Sequence, residues 1–502
     1  MNAPSKVSGF LSEALAPEIV DGVYRPLLAR SFAPSLPAFA AINRAHVVML
    51  AEAGLMPAAV AAEILRTVDA LDHEGAAAFT LDPEREDAYF NYEAELFARI
   101  GATAGWLHMA RSRNDLKATA DRLRARDLAE RLFEGVLALR AALLTCAAPH
   151  FATVMTGYTH LQHAQPITWG WYLLGIEAAL RRDAQRIGDA LDRFDECPLG
   201  AGAQAGTEFP IDRARTATLL GFRKAQDHPL DAVANRDGLN ELLYAATSAA
   251  ATIGRMAQDF YLMATFEFGT LAFPDRIAIT SSIMPQKKNL AVLEHLKARP
   301  AALLGALTTA IAAGRAVPFG HSQESGLEST RWMWDALGEL AEMLPVARVV
   351  VESAEPKTER MAELAAANFA TATALADCLV FHGMTFRAAH HIVGRFVRLS
   401  LDGSPLSPAE RLAQAASEVG ESCPAIAPEE IAHALDPSAI VTAQSGTGPS
   451  RAQSETLRAT AGTALDADEA RLAAWRAMRE DAARELDAAM GAIAGTAAGA
   501  AP

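Results

Sequence analysis

The chain is poor in cysteine and shows no pattern typical of export or membrane insertion. Among its 502 residues there are four cysteines, Cys146, Cys197, Cys378 and Cys423, with no Cys-x-x-Cys pair. We therefore expect free thiols in a reducing compartment. The N-terminal segment lacks a long apolar core, and no charge-free apolar run reaches the roughly 18 residues that a membrane helix needs. These absences predict a cytoplasmic protein with no signal peptide and no membrane partner.

Basic residues are also scarce. Lys and Arg number 45 against 60 Asp and Glu, which gives a formal net charge of -15. No run of Lys or Arg indicates a nucleic-acid-binding surface, so nucleic acid is not an expected partner. A local cluster such as Arg111, Arg113, Lys287 and Lys288 can still attract an anionic small molecule, because nearby charges outweigh the net charge.

Long helices dominate what is present. Hydrophobic residues make up 51% of the chain, and their helical spacing predicts long helices over 117–148, 167–196 and 238–267. Helices of about 25–30 residues span roughly 40 Å each. No stretch alternates with period two over several strands. The predicted class is therefore all-α, with a central bundle of long helices.

The pattern divides the chain into three predicted domains. Residues 1–112 form an N-terminal, mostly helical domain, and residues 113–362 form the central helix bundle. Residues 363–502 form a small C-terminal helical domain, followed by a charged helix over 465–490 and an Ala/Gly tail. We expect that tail to be disordered.

The gaps between the long helices carry unusual polar strings. Function concentrates in loops held by a rigid scaffold, so these strings are the candidate site. They include Arg111-Ser112-Arg113-Asn114-Asp115, Gly157-Tyr158-Thr159-His160-Leu161-Gln162 and Thr280-Ser281-Ser282-Ile283-Met284-Pro285-Gln286-Lys287-Lys288-Asn289.

The last of these strings suits proton abstraction next to a carboxylate. Removing such a proton places negative charge on the carboxylate oxygens, which the site must stabilise as it develops. Lys287 supplies a cation, Asn289 a neutral donor, and the N–H groups of 282–284 further donors. Ser281 is the candidate base, provided that these groups and the exclusion of water lower its pKa. His160 is the candidate acid, because histidine titrates near neutral pH.

The string before the first long helix, residues 111–115, has two interpretations. Arg111 and Arg113 are either ordinary solvated or salt-bridging arginines, or they line the site together with Ser112 and Asn114. Asn114 is the better substrate contact, whereas Asp115 is a candidate cap for the following helix.

Together these strings resemble those of argininosuccinate lyase, within the fumarase/aspartase superfamily. The likeness extends to Pro198-Leu199-Gly200, Phe209-Pro210-Ile211-Asp212-Arg213 and Leu230-Asp231-Ala232-Val233. It implies a three-domain, mostly helical fold and a homotetramer whose central helices form a twenty-helix core. Each active site would be built from three subunits. The resemblance implies no metal and no organic cofactor.

The implied reaction is a reversible anti-elimination from an N-substituted L-aspartate, giving fumarate and an amine. By this resemblance Ser281 looks like the base and His160 like the acid or its orienter. Thr159, Asn114, Ser282, Lys287 and Asn289 would hold the succinyl carboxylates. The other candidate substrate-binding residues are Arg111, Ser112, Arg113, Met284 and Gln323.

The part of the pattern that contacts the amine is altered. Argininosuccinate lyases usually carry a Tyr-Asn-Lys/Arg-Asp-Leu-Gln-Glu-Asp-Lys string there, whereas residues 317–326 read Val-Pro-Phe-Gly-His-Ser-Gln-Glu-Ser-Gly. Gln323 survives, but the tyrosine and the lysine do not. Leu290-Ala291 replaces the usual Pro-Asp, and only Ser8-Gly9-Phe10 stands near an expected Gly-Arg-Phe.

A pocket formed by Leu290, Phe319 and Gly320 would be less polar and roomier at Gly320. This combination resembles relatives that split other N-substituted aspartates, such as ethylenediamine-N,N'-disuccinate (EDDS) lyase. A true argininosuccinate lyase of arginine biosynthesis is the alternative. A fumarase or adenylosuccinate lyase is disfavoured by the strings above, and a non-catalytic structural role by the intact Ser281, His160 and Lys287.

Overall fold

A computed structural model describes residues 13–499, most of them helical. The Ser8-Gly9-Phe10 string and the last three residues lie outside this range. The N-terminal part contains α1 (Pro17–Ile19), α2 (Arg25–Glu52), α3 (Ala58–Glu74) and α4 (Ala88–Ile100). Their apolar faces bury Tyr89 and Tyr92 in a shared core.

The central part begins with the longest bundle helix and a hairpin. Its first elements are α5 (Arg113–Ala147), β1 (Val154–Thr159), β2 (Gln162–Thr168), α6 (Trp169–Phe194), β3 (Glu196–Cys197), α7 (Arg213–Leu219), β4 (Lys224–Ala225) and α8 (Pro229–Ala234). It continues with α9 (Asp237–Met263), β5 (Leu271–Ala272), β6 (Ile279–Thr280), β7 (Lys288–Asn289), α10 (Ala291–Ala298), α11 (Ala302–Gly314), α12 (Met333–Glu352) and β8 (Glu355–Pro356).

The three long helices predicted from apolar spacing are confirmed as α5, α6 and α9. With α10, α11 and α12 they bury one continuous hydrophobic core. One helical stretch, Arg113–His150, is long and apolar enough by length and composition to cross a membrane, but 56% of its apolar window is buried inside the protein. It contains α5, which packs against α6 and α12.

The bundle has two distinct ends. At one end, called here the Asn114 end, the first turn of α5 meets the loop after α6, with Asp115 Oδ2 2.9 Å from the Gly200 nitrogen. At the other, the His160 end, the last turns of α5 and α12 meet, with Cys146 Sγ 3.9 Å from the Val351 carbonyl oxygen. The β1/β2 hairpin follows α5 directly and therefore lies at the His160 end.

Strands are more numerous than the sequence predicts, although all are short. The pairs β1/β2, β5/β8 and β6/β7 are antiparallel, and β3/β4 is parallel. The six- and seven-residue strands of the hairpin are missed because their sequences, VMTGYT and QHAQPIT, do not alternate apolar and polar residues. The prediction of a mostly helical fold is confirmed. The site strings at the His160 end, however, lie on short strands and their turns.

The C-terminal part contains α13 (Thr358–Ala366), α14 (Ala372–Phe381), α15 (Phe386–Leu401), α16 (Pro408–Glu418), α17 (Pro428–Ala434) and α18 (Pro437–Ala443). Helices α14 to α17 enclose a separate small core. The domain limits at residues 112 and 362 stay a prediction.

The last helix corrects two expectations. Helix α19 (Arg451–Gly499) begins earlier than residue 465, and the Ala/Gly tail expected to be disordered is helical as far as Gly499. Its Leu472 and Trp475 join the central core, and its Ile493 joins the N-terminal core. Burial along two cores, together with the high helix propensity of alanine, keeps the segment helical.

Candidate active site

A reciprocal cap fixes the first turn of α5. Ser112 Oγ accepts the N–H of Asn114 at 3.3 Å, and Asp115 Oδ1 accepts the N–H of Ser112 at 2.9 Å. Asp115 Oδ2 accepts the N–H groups of Gly200 and Gly202, each at 2.9 Å. The cap predicted for Asp115 is therefore confirmed, and its carboxylate also joins α5 to the loop after α6. Burial raises the pKa of Asp115 to about 6, although the backbone donors act in the opposite direction.

The two arginines beside this cap have partners of their own. The Arg111 side chain is buried and donates to Asn43 Oδ1 at 2.9 Å and to the Tyr89 hydroxyl. Arg113 donates to Asp87 Oδ2 at 2.9 Å. In this chain Arg111 therefore positions the string from inside the N-terminal core, and its predicted substrate contact stays a prediction.

Asn114 stands in the wall of a cavity at the Asn114 end. Its Nδ2 donates to the Ala203 carbonyl at 3.1 Å, which ties the helix to the glycine-rich loop of residues 200–206 after α6. The cavity measures about 200 Å³. Its lining includes the predicted residues Arg113, Asn114 and Gln323, together with Asp87, Lys117 and His321.

A larger cavity of about 560 Å³ shares Asp87, Lys117, His321 and Gln323 with the first. It extends towards Trp332, whose ring lies 5.0 Å from the guanidinium carbon of Arg30. A substrate held at Asn114 therefore has room for a long second half on this side.

His321 lines both cavities and is not among the site residues predicted from the sequence. Its ring packs on Gly326, where an added Cβ would lie 2.8 Å from the ring Cε1. Burial lowers the pKa of His321 to about 4, and the positive charges of Arg236 and Lys117 act in the same direction. The imidazole is therefore neutral at pH 7, in surroundings that already carry positive charge.

The hairpin places Thr159 and His160 at its tip. Thr159 pairs with Gln162, so His160 and Leu161 form a two-residue turn, with φ of +53° and +57° respectively. Two successive positive φ values define a turn that favours glycine or asparagine, and other residues adopt it at a cost. Leu161 is 64% exposed. Such a turn projects His160 and Leu161 away from the body of the chain, where they can contact another surface.

The Ser281 string forms a loop closed by a small ladder. Ile279 pairs with Asn289, and Thr280 pairs with Lys288. Inside the loop, Ser281 Oγ accepts the N–H of Met284 at 3.1 Å and the N–H of Ile283 at 3.4 Å. Backbone donors on a hydroxyl oxygen favour its deprotonated form, which is what a serine base requires.

The two lysines of the loop have different surroundings. Lys288 Nζ lies 2.8 Å from Asp275 Oδ1 and fixes the base of the loop. The exposed Lys287 side chain forms no hydrogen bond or ion pair with any residue in the range 13–499. The Lys287 side chain is therefore accessible to an anion, and its predicted contact with the substrate stays a prediction, while Lys288 is structural.

The candidate residues fall into separate groups within one chain. Asn114, Arg113 and Gln323 share the cavity at the Asn114 end. Thr159 and His160 lie beyond the C-terminus of α5, whose 35 residues span about 50 Å. The Ser281 loop lies at that same end, because Arg276 beside it donates to Ser353 Oγ at 2.7 Å just after α12. One chain therefore does not assemble the site.

The residues of the predicted amine pocket are also divided within the chain, and their grouping stays a prediction. Phe319 is 70% exposed and lies beyond α11, near Gly320. Leu290 caps α10 and packs against the central core. Helices α10 and α11 run back along α9, with Lys297 Nζ 2.9 Å from Gln258 Oε1, and together separate Leu290 from Phe319 by about 35 Å.

Sequence reasoning missed Asp87, Lys117 and His321 as cavity residues. His321 stood within the altered 317–326 string, so its place beside Gln323 was a usable signal. Lys117 lies three residues after Asn114, which places both on one face of a helix. Asp87 pairs with Lys117 at 2.9 Å, but nothing in its own sequence context indicates this.

Comparison with known proteins shows the family of this chain. A family model described as a lyase matches residues 36–303, and one described as the argininosuccinate lyase C-terminal region matches residues 369–442. Argininosuccinate lyase of Methanothermobacter thermautotrophicus is 39% identical over 400 residues, covering 79% of this chain and 85% of that protein. Argininosuccinate lyase 1 of Shouchella clausii is 34% identical over 449 residues, covering 88% and 90%.

A solved structure extends the likeness over nearly the whole chain. The crystal structure of EDDS lyase in complex with formate has a TM-score of 0.87 and 32% identity, covering 98% of both chains. The fold and the site strings thus define a fumarate-releasing lyase of the fumarase/aspartase superfamily. Within it, the chain belongs to the argininosuccinate lyase family and is a carbon–nitrogen lyase.

Proposed function

We propose that the substrate is an N-substituted L-aspartate whose amine half carries carboxylates, as in an aminopolycarboxylate of the EDDS type. The observation that supports this most is the charge around His321. A guanidinium placed there would meet Lys117 and Arg236, whereas a carboxylate would be attracted by both.

Two acidic groups near His321 lie beside cations. Asp87 lies 2.9 Å from both Arg113 and Lys117. Asp121 lies 3.4 Å from Arg236 Nε, and the buried Arg236 Nη2 has no hydrogen-bond partner within residues 13–499. Arg236 therefore keeps an unpaired donor beside His321, although Asp121 Oδ2 also lacks a hydrogen bond within the described part of the chain.

The altered 317–326 segment supports the same assignment. It lacks the tyrosine and lysine usual in argininosuccinate lyases, and an added Cβ at Gly320 would meet only Gln204 Oε1, at 3.5 Å. The full-length likeness to EDDS lyase is a second support. Argininosuccinate is the second candidate substrate, because the chain is 34–39% identical to two proteins named argininosuccinate lyase.

In the reaction, Ser281 Oγ removes a proton from the carbon next to the succinyl carboxylate. The N–H groups of Ile283 and Met284 stabilise the alkoxide form of Ser281 beforehand. Lys287, Asn289 and Ser282 then hold the aci-carboxylate as its charge develops. The electron pair of the carbanion forms the double bond of fumarate, and the carbon–nitrogen bond breaks.

The departing amine takes up a proton as the bond breaks. His160 supplies or orients the acid, with Thr159 holding a succinyl carboxylate beside it. Asn114 holds succinyl oxygens from the other side, and Gln323 borders the amine half. Met284 contributes its backbone N–H.

We infer that the complete site forms in a homotetramer with a twenty-helix core, each site taking its groups from three subunits. The division of the candidate residues between the two ends of α5 supports this. So do the exposed apolar side chains on the bundle helices: Tyr244 on α9 is 55% exposed, and Leu304 and Ile311 on α11 are 61% and 53% exposed. The free cysteines are the support for a cytoplasmic location.

The test is elimination from two purified substrates, EDDS and argininosuccinate, followed by the ultraviolet absorbance of fumarate. We expect turnover of EDDS and little turnover of argininosuccinate. The reverse reaction, with fumarate and either ethylenediamine or arginine, provides a second measurement. The Ser281→Ala variant is the blank for both. Turnover of argininosuccinate together with consumption of fumarate by arginine alone would overturn the assignment of the amine half.

A further inference from the structure

Three metal-ligating side chains converge at the surface of the small C-terminal core, away from the catalytic strings. Cys378 and His382 lie four residues apart at the end of α14, so they share one face of that helix. Glu430 reaches them from α17. One ligand atom of each, from thiol, imidazole and carboxylate, lies within 4.8 Å of the other two.

The hydrogen bonding of His382 fixes which nitrogen faces this cluster. Its Nδ1 lies 2.9 Å from the Cys378 carbonyl oxygen, and a carbonyl can only accept, so Nδ1 carries the hydrogen. Its Nε2 lies 2.9 Å from Glu430 Oε2. Nε2 therefore presents its lone pair to the Glu430 carboxylate, and a proton or a metal ion between the two atoms would remove their repulsion.

We propose that Cys378 Sγ, His382 Nε2 and a Glu430 carboxylate oxygen bind one Zn²⁺ ion. A thiolate with an imidazole selects zinc over magnesium or calcium, which prefer all-oxygen sites. An Nδ1–H bonded to a backbone carbonyl is the usual orientation of a histidine that binds metal through Nε2. A solvent molecule takes the fourth position, because the cluster is half-exposed.

The geometry requires only small movements. Bond lengths of about 2.0–2.3 Å place the ligand atoms of a tetrahedral zinc site roughly 3.5 Å apart. The Glu430 side chain is 52% exposed and can adjust to this spacing. The ion would join α14 to α17 across the small core and takes no part in the elimination.

The competing arrangement places a second proton on His382. A doubly protonated imidazole at the C-terminus of α14 pairs with Glu430 and with the helix dipole, and then no metal is needed. The two arrangements differ in whether the Cys378 thiol is bound. Zinc binds Cys378 Sγ, whereas the protonated imidazole pairs only with Glu430.

The experiment uses the full chain, treated with a chelator and then titrated with ZnCl2 in a calorimeter. We expect one ion per chain, a higher Tm with zinc, and loss of both in Cys378→Ser and His382→Gln. Cys423→Ser is the matched control, since Cys423 is a partly buried thiol of the same small core, and it should behave as the wild type.

Two readouts keep the test independent of folding defects. Bound Co²⁺ should show a thiolate charge-transfer band that Cys378→Ser removes, and zinc should slow alkylation of Cys378 but not of Cys423. Turnover should be equal with and without zinc. Absence of binding in the wild type, or equal binding in all the variants, would overturn the proposal and leave the protonated His382–Glu430 pair.

Discussion

Asn114 and His160 stand at opposite ends of the same helix. Asn114 lies in the first turn of α5, whose 35 residues measure about 50 Å, and His160 lies in the hairpin that follows its last turn. A succinyl group is far shorter than this distance, so both residues can contact one substrate only if they come from different subunits. In the proposed tetramer, long helices of different subunits packed side by side with opposite ends adjacent would provide that arrangement.

This separation predicts complementation between two inactive variants. Asn114→Ala and Ser281→Ala should each lose most activity as pure tetramers. Tetramers refolded from a mixture of the two should regain part of it, because some sites then contain both wild-type residues. The measurement is fumarate release by the refolded mixture, with each variant refolded alone as control. A mixture no more active than its components would show that one subunit supplies both groups.

Substitution of Ser281 should separate chemistry from assembly. We expect Ser281→Ala to lower kcat by about 10²–10⁴-fold, with the molar mass by light scattering unchanged. Ser282→Ala should mainly raise KM, since Ser282 holds a carboxylate instead of moving a proton. Initial-rate kinetics distinguish the two outcomes. A wild-type kcat for Ser281→Ala would remove Ser281 from the mechanism.

The long helices could be predicted from sequence because their apolar stripes repeat over many turns. Helix α9, for example, is predicted over 238–267 and observed over Asp237–Met263. The hairpin could not be predicted, since its strands carry mixed side chains. Helix α19 was predicted too short, because its contacts with two separate cores lie far away in sequence.

The candidate site was only partly predictable for a related reason. The strings identified Ser281, His160 and Asn114, but spacing along the chain does not show which ends of a bundle meet. Leu290 and Phe319 were grouped on that basis and lie apart in the chain. The altered 317–326 string points to His321, but its lowered pKa comes from burial and from Arg236 and Lys117 packed around it, which the sequence does not show.

Reversing the charge at His321 should change the choice of substrate. His321→Asp would place a carboxylate beside the amine half. We expect kcat/KM for EDDS to fall by at least about tenfold, or about 1.4 kcal/mol, because like charges repel. His321→Gln, which keeps a neutral polar group, is the control and should fall much less. An equal loss in both variants would indicate that His321 acts through shape alone.

The lowered pKa of His321 should also make stability depend on pH. Its pKa is about 4 in the folded chain against 6.5 for an ordinary histidine, so the unfolded chain binds more protons between these values. Stability therefore falls as the pH drops from 6.5 towards 4. His321→Gln should flatten part of that fall in Tm measured against pH. His73→Gln, an exposed histidine on α3, is the control and should leave the profile unchanged.

Asp115 should be more important to the site than an ordinary helix cap. Asp115→Ala leaves three backbone N–H groups without their acceptor, those of Ser112, Gly200 and Gly202. We expect a loss of about 3 kcal/mol in the free energy of unfolding, because buried donors are left unsatisfied. Turnover should fall as well, since Asn114 and the glycine-rich loop lose their common anchor.

The exposed cap Ser407 on α16 provides the matched comparison for Asp115. Its capping box is similar, with Ser407 and Glu410 bonded reciprocally, but it is exposed to solvent and lies in the C-terminal part of the chain. Ser407→Ala should cost about 1 kcal/mol and leave kcat/KM unchanged. Urea unfolding followed by circular dichroism measures the stability, and fumarate absorbance measures the rate. Equal effects of the two substitutions on both quantities would show that Asp115 is a cap and does not position Asn114.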